Sequence, residues 1–525
     1  MTIREVAGLP SPADQATRSY WHKEPSERLL GHRTTADLPA TADTVIVGSG
    51  ITGAFAAHFL LNSSKEDAAA GGVMMMLEAR EVCWGATGRN GGHCQPVVYA
   101  SPPSVSTFEL EVFHFLENFV GENNIPCDWV SLKGGGVHAF LSDDLFQVAR
   151  AAVAQLKQHH PQLGAQIQVV GPPKTEGKGE QQGEGKGGVT LEDLRIPDVS
   201  GAIVQKHAAS LWPYKLICWV LGDLLDRFPG FNLQTNTPVT NLRRLKEEGG
   251  QGGWVLTTPR GKITARNVLL ATNGYTSSLL PAFADLIVPV RGQLGSLLPP
   301  RGQDDSPAKL DHAYVFLANY NSSDPKLATA PVPASRDDYV VQRPLPGGEM
   351  IYGGGRNHAR NLAVGEWRDD EVEEEVARYL RGNLSPPLNL TTRDQGTGGG
   401  GKGEEGGGEL KASFEWTGIM GFSRDHHPWV GAVPENLGGG EGLWICAGYT
   451  GHGMPVAALA ARDVVNQMLG NKQTEGEGVG VPTEFRLTEE RVRNVRETTQ
   501  TVQDQKGDIA ELFSLKLFLE EGGLD

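Results

Sequence analysis

Cysteine is scarce in this chain of 525 residues, with five in all: Cys83, Cys94, Cys127, Cys218 and Cys446. The count is odd, the spacing wide, and no C-x-x-C pair occurs. That excludes a disulfide framework and a cysteine-built zinc site, and it fits a reducing compartment. Long apolar runs are missing too. No stretch of 18 apolar residues is present, so no membrane span is expected. Positive charge is in deficit, with 47 Lys and Arg against 63 Asp and Glu, a net charge of −16. A nucleic-acid partner, which needs clustered basic residues, is therefore not expected. The first residues, Met-Thr-Ile-Arg-Glu-Val, hold no apolar signal core, and the last, Gly-Gly-Leu-Asp, carry no targeting tripeptide. A cytoplasmic location is the expectation. No metal is expected either, because His426-His427 beside Asp425 lacks a third spaced ligand.

Glycine is abundant, with 68 residues, much of it in low-complexity runs with Lys and Glu at 174–188 and 396–409. Such composition cannot bury a core and reads as solvated loop expansion. Shorter runs at 247–253 and 438–442 look alike. A chain this long predicts two interlocked domains. Residues 1–42, Pro-rich and holding Tyr20-Trp21, read as an arm laid across the body. Apolar periodicity predicts helices over 107–121, 143–158, 213–228, 366–382 and 453–469. Strands are predicted at 135–141, 231–234, 238–245, 253–258, 261–265, 268–271, 288–298, 313–318, 338–343, 349–354 and 443–447, with a hairpin turn at Pro259-Arg260-Gly261.

The chemistry starts at Thr44-Val45-Ile46-Val47-Gly48-Ser49-Gly50-Ile51-Thr52-Gly53. An apolar strand enters a G-x-G-x-x-G turn, a small-residue helix follows, and a second apolar strand, Val73 to Leu77, ends in Glu78. Gly48 makes the tight turn, Gly50 lets the backbone approach a pyrophosphate, and Gly53 packs helix on strand. Glu78 accepts from a ribose hydroxyl, and the helix N-terminus sits under the phosphates. Alone, this unit does not separate NAD from FAD.

Two further glycine clusters bear on that choice. Gly85-Ala86-Thr87-Gly88-Arg89-Asn90-Gly91-Gly92-His93 places backbone N–H groups and two fixed donors beside the dinucleotide unit. At the far end, Cys446-Ala447-Gly448-Tyr449-Thr450-Gly451-His452-Gly453-Met454 leaves an apolar strand and opens a helix near Met454, whose N-terminus can stabilise a reduced flavin's negative charge.

With these motifs the chain resembles the FAD-dependent oxidoreductases of the D-amino-acid oxidase/glycine oxidase superfamily, and within it the gamma-glutamylputrescine oxidase-like branch. Thr237-Pro238-Val239, Leu269-Leu270-Ala271-Thr272-Asn273-Gly274-Tyr275, Pro289-Val290-Arg291-Gly292-Gln293 and Trp416-Thr417-Gly418 through Gly431 match that family's further segments. The resemblance implies an α/β fold: a Rossmann-type FAD-binding domain with an inserted α+β substrate domain on a mostly antiparallel sheet. The FAD-binding domain would comprise 43–110, 200–290 and 411–475. The substrate domain would comprise 111–199 and 291–395, with a C-terminal extension from 476 to 525.

The implied cofactor contacts are Gly48, Gly50, Ile51, Thr52, Gly53, Glu78, Ala79, Arg80, Gly85, Thr87, Arg89, Asn90, Gly91, Gly92, His93, Val239, Ala271, Thr272 and Gly274. The final turn adds Gly448, Thr450, Gly451, His452, Gly453 and Met454. FAD would be non-covalent, since Gly418 to Phe422 offers no cysteine for a link. His93, His452, Arg291 and Tyr352 are the candidate catalytic residues. Arg291 or Arg356 would hold a substrate carboxylate, and Arg89, His93 and His452 are candidates for assisting oxygen. The expected reaction is oxidation of an amine or amino acid by hydride transfer to flavin, giving an imine and, with molecular oxygen as acceptor, hydrogen peroxide. A dehydrogenase with another acceptor, an NAD enzyme, a flavin hydroxylase and a non-catalytic flavoprotein stay open.

Overall fold

The structure is a computed structural model. It describes residues 6–63, 73–172, 188–245, 252–301, 307–318, 336–385, 387–390, 409–471 and 479–502. Apart from their last residues, the low-complexity runs at 174–188 and 396–409 lie outside the described residues.

Two eight-stranded sheets organise the chain. The first is built on Thr41–Val47, which pairs in parallel with Met74–Leu77 on one side and Gly261–Leu270 on the other. Val45, Ile46 and all of Met74–Leu77 are buried, as parallel strands covered on both faces must be. Leu443–Ala447 pairs in parallel with the end of Gly261–Leu270. The two glycine-rich turns, almost 400 residues apart in sequence, therefore leave the same sheet. The helix Ile51–Ser63 packs against the helices Ala457–Met468 and Pro213–Arg227. Gly53 lets the start of this helix lie close on the strand and its turn, because a Cβ there would stand 1.9 Å from the Gly48 carbonyl oxygen.

The second sheet runs in the order 412–423, 287–297, 350–354, 336–342, 313–318, 136–140, 201–205, 167–170. Every neighbour is antiparallel except 136–140 beside 313–318. Its register aligns His138, Val315, Tyr339, Gly353, Leu294 and Trp416 across six strands. Directly paired residues share a face, so this row faces one way. The fold is the α/β class expected, with an inserted, mostly antiparallel sheet.

Several elements differ from the sequence reading. The helix expected over 366–382 starts only at Glu374. The stretch before it is drawn inward, with Asp369 fully buried and its carbonyl bonded to the Thr17 N–H at 2.8 Å. The last core helix begins at Ala457 rather than 453, after Pro455, which disfavours helical backbone at the residue preceding it. Residues 261–265 and 268–271 belong to one strand. Helix 107–121 begins earlier, with Pro103 in its first turn, where proline's missing N–H costs nothing. The strand Ala412–Ser423, against which Ile287–Leu297 is zipped, was not anticipated.

Candidate cofactor and substrate site

A cavity of about 430 Å³ runs from the G-x-G-x-x-G turn to the row of the second sheet that carries His138, Val315, Tyr339 and Leu294. At its first end lie Gly48, Gly50, Ile51 and Thr52, with Glu78, Ala79 and Arg80 from the end of the second strand. Gly48 adopts φ +110°, which only glycine takes without strain. Ser49 donates its N–H (3.0 Å) and hydroxyl (2.6 Å) to one Glu78 oxygen, and the Arg80 N–H donates to the other at 2.9 Å. A carboxylate offers about four acceptor positions, so the second oxygen keeps room for one more donor, as a ribose hydroxyl requires. Thr87 accepts from the Ile51 N–H at 3.0 Å and so caps the helix from the neighbouring loop. The Thr52 hydroxyl is bonded to Tyr449. Val239, Ala271 and Thr272 line the same half.

The loop 85–93 is closer-packed than its glycines suggest. A Cβ on Gly88 would stand 2.0 Å from the Cys83 oxygen, one on Gly91 2.5 Å from the Tyr339 ring, and one on Gly92 2.3 Å from Trp21. These three glycines serve packing within the protein. Gly85, with nothing within 4 Å, has open space beside it. Gly85, Thr87, Arg89, Asn90, Gly91 and His93 line the cavity. Gly53, Gly92, Gly274 and Gly448 do not. Gly274 lies against the Met420 carbonyl, and the Gly448 N–H is bonded to Asn273.

Arg80 and Arg89 converge on Asp369 at 2.7 and 3.2 Å, all three buried. Arg89 also donates to the Trp84 and Thr417 carbonyls. Burial lowers the Arg89 guanidinium to about 10, partly offset by Asp369, so it stays charged at neutral pH. Arg89 is thus held by the protein rather than extended toward a ligand. Its Nη2 and the Tyr275 hydroxyl are buried without a hydrogen-bond partner.

The other half joins the last glycine turn to the second sheet. Thr450, Gly451, His452, Gly453 and Met454 all line it. His452 Nε2 lies 3.0 Å from the Glu109 carboxylate, which also accepts from the Val97 N–H at 2.7 Å. Burial works against the His452 charge, but Glu109's charge and hydrogen bond outweigh it and raise its pKa. Burial, with His452 adding to it, pushes His93 down to about 4, and burial pushes His138 down to about 3. His138 is bonded to Tyr99 and to Gln95. Tyr339 presents its ring between Gly91 and Gly353 and lies 5.2 Å from the His93 ring.

Two candidate catalytic residues lie off the cavity. Arg291 is buried against Glu373, and Tyr352 is fully buried, donating to Asp338 at 2.9 Å. Strand alternation explains both, since each points to the opposite face of its strand from the cavity. The arginine that does line the cavity is Arg356, 3.2 Å from Asp337. Sequence reasoning did not find Glu109, Asp337, Tyr339 or Asp369. Glu109 had a signal: it falls on the buried helical stripe of Val105, Phe108, Val112 and Leu116, where an acid needs a partner. Cys94 is buried, and burial raises its thiol pKa. Among the described residues, no three His, Cys, Asp or Glu side chains gather as metal ligands. No described helix is long and apolar enough to cross a membrane.

A dinucleotide turn feeding a cavity between a parallel sheet and an inserted antiparallel one defines a class. Residues 43–467 match the model of the FAD dependent oxidoreductase (DAO) family, and the chain belongs to that family. It is 21% identical over 457 residues to the gamma-glutamylputrescine oxidoreductase of Escherichia coli strain K12, covering 84% of this chain and 86% of that protein. The fold is similar to glycine oxidase from Geobacillus kaustophilus (TM-score 0.60, 17% identity, 86% of this chain and 99% of that one). It is also similar to L-amino acid deaminase from Proteus vulgaris (TM-score 0.58, 15% identity, 89% and 98%). The cavity suits FAD. Glu78 keeps an acceptor position at the ribose end, and the Gly50 backbone is bare where a side chain would crowd Thr87, 3.1 Å from a Cβ there.

Proposed function

We propose that this FAD-dependent oxidoreductase oxidises the carbon–nitrogen bond of an amine or amino acid to an imine and hands the electrons to molecular oxygen, giving hydrogen peroxide. When bound, FAD supplies the two-electron acceptor for the substrate's hydride. The observation that carries this reading is the continuity of one cavity from Glu78 to Tyr339, His93, Arg356 and the His452–Glu109 pair. The gamma-glutamylputrescine and amino-acid enzymes to which the chain is similar act on such nitrogen compounds by their names.

Each residue has a task in this reading. The glycine turn, with Glu78, Ala79 and Val239, holds the adenosine end of FAD without a covalent link. The turn 448–454 and the loop 85–93 hold the flavin end. Tyr339 and His93 form a wall against which the substrate lies. His93, pushed down to about 4, is neutral at pH 7 and leaves an amine free to bind without repulsion. Arg356 takes an anionic group of the substrate, and Asp337 keeps that guanidinium oriented. His452, whose pKa Glu109 raises, is the group placed to bring positive charge to the reduced site and to oxygen. The five free thiols suit a reducing compartment, and we place the enzyme in the cytoplasm.

Anaerobic mixing with a panel of secondary amines, diamines, D-amino acids and N-alkyl amino acids tests the reaction class. Bleaching of the flavin by one of them, and peroxide formed in step with substrate loss in air, is the expected outcome. Bleaching followed by reoxidation only with an artificial acceptor makes the enzyme a dehydrogenase.

A further inference from the structure

We infer that the N-terminal arm is part of the cofactor site, with Leu9 and Pro10 walling its adenosine end. Glu78 ends the second parallel strand, where the acid of a dinucleotide fold meets the ribose. Leu9 and Pro10 line the same cavity as Glu78, Ala79 and Val239. Outside them, Leu9, Pro10 and Pro12 close over Ala79, Glu81 and Pro238 in a second pocket. The wall is apolar, so an adenine ring covers it without stripping water from a polar group.

The arm is fastened rather than draped. The Ala7 N–H donates to the Ser277 hydroxyl at 2.9 Å. Gly8 lies so close to the Trp367 indole that a Cβ would stand 2.2 Å from its nitrogen. Thr17 ties the arm to the cavity's charged wall: its hydroxyl accepts from Arg89 Nη1 at 3.1 Å and from the Thr417 N–H at 3.0 Å. Trp21, fully buried, donates to the Asn90 carbonyl at 2.7 Å and packs on Gly92. The arm thereby grips both the loop 85–93 and the segment around Asp369. It lies outside the region matched to the family, which begins at residue 43, so the family match does not account for it.

With the arm seated, FAD leaves only after residues 7–10 lift. The test uses the full chain, stripped of FAD and titrated with FAD while flavin fluorescence is followed. Leu9→Asp places a carboxylate at the wall. Gly8→Val puts a branched side chain where Trp367 leaves no room. Leu30→Asp, at an exposed position away from the cavity, is the control. The expected result is an FAD Kd raised about tenfold in both arm variants, with faster release on dilution and the control unchanged. Far-UV circular dichroism of the apoproteins reports whether each variant folds. If Gly8→Val fails to fold, Leu9→Asp decides alone, since its side chain is already 39% exposed. A Kd in folded Leu9→Asp within about twofold of the control overturns the inference. The titration contains no amine, so its result is independent of the substrate.

Discussion

Tyr339 is the residue on which the proposed substrate side turns. It stands at the centre of the row facing the cavity, boxed in by Gly91 and Gly353. Truncating the ring removes that wall, so Tyr339→Ala is expected to lower kcat/KM about tenfold with FAD affinity unchanged. Steady-state kinetics beside an FAD titration checks this, and equal losses in both would assign Tyr339 to cofactor binding instead. The buried histidines give a second prediction. His93, His138 and His426 sit at about 4, 3 and 4 because burial disfavours their charge. Above about pH 6.5 they are neutral in both folded and unfolded chains and contribute no pH dependence. Below it the unfolded chain takes up protons that the folded one refuses, so stability falls down toward pH 4. His452 behaves oppositely. Its raised pKa stabilises the fold fully below about pH 6.5, and that contribution fades as pH rises through the folded value. Between pH 6.5 and 5 the urea midpoint should therefore drop, by the equivalent of a few kcal/mol, and His138→Gln should make the drop shallower. A flat midpoint over that range would contradict the placement of these rings.

At the scale of elements, the segment before the helix Glu374–Asn383 shows what a sequence pattern hides. Its charged residues read as helix, yet Asp369 leaves that pattern to sit beneath Arg80 and Arg89. Asp369→Ala would leave two buried guanidiniums facing each other without a counter-charge, at a cost of about 3–5 kcal/mol. Thermal unfolding with and without FAD measures it; a loss under about 1 kcal/mol would mean that the pair finds other support. The parallel unit, the hairpin around Pro259 and most strands of the second sheet could be read from alternation and glycine placement, because each is specified by neighbours in sequence. The long strand Ala412–Ser423 could not, because it carries no clean alternation: Trp416–Ile419 and Gly421–Ser423 are buried in unbroken runs. Arg291 and Tyr352, candidates in the sequence, lie off the cavity. Which face of a strand meets a cavity is settled by the sheet's packing, and one position along the strand reverses it. Glu109 was within reach, since an acid on an apolar helical stripe calls for a partner.

Over the whole molecule, two sheets and an arm line the cavity of the proposed site, and function follows from what each contributes. The parallel sheet brings both glycine turns to one end. The inserted sheet offers Tyr339, His138 and Asp337 on one face. The arm closes the adenosine side. The enclosure is proposed to oxidise an amine or amino acid through FAD. The most direct measurement is the absorbance of the flavin in the holoenzyme, mixed without oxygen with each member of an amine and amino-acid panel. At least one nitrogen compound is expected to bleach the flavin within seconds to minutes, and admitting air is expected to restore the colour and yield peroxide. A flavin that keeps its colour with every amine, yet bleaches with a nicotinamide donor, would contradict it.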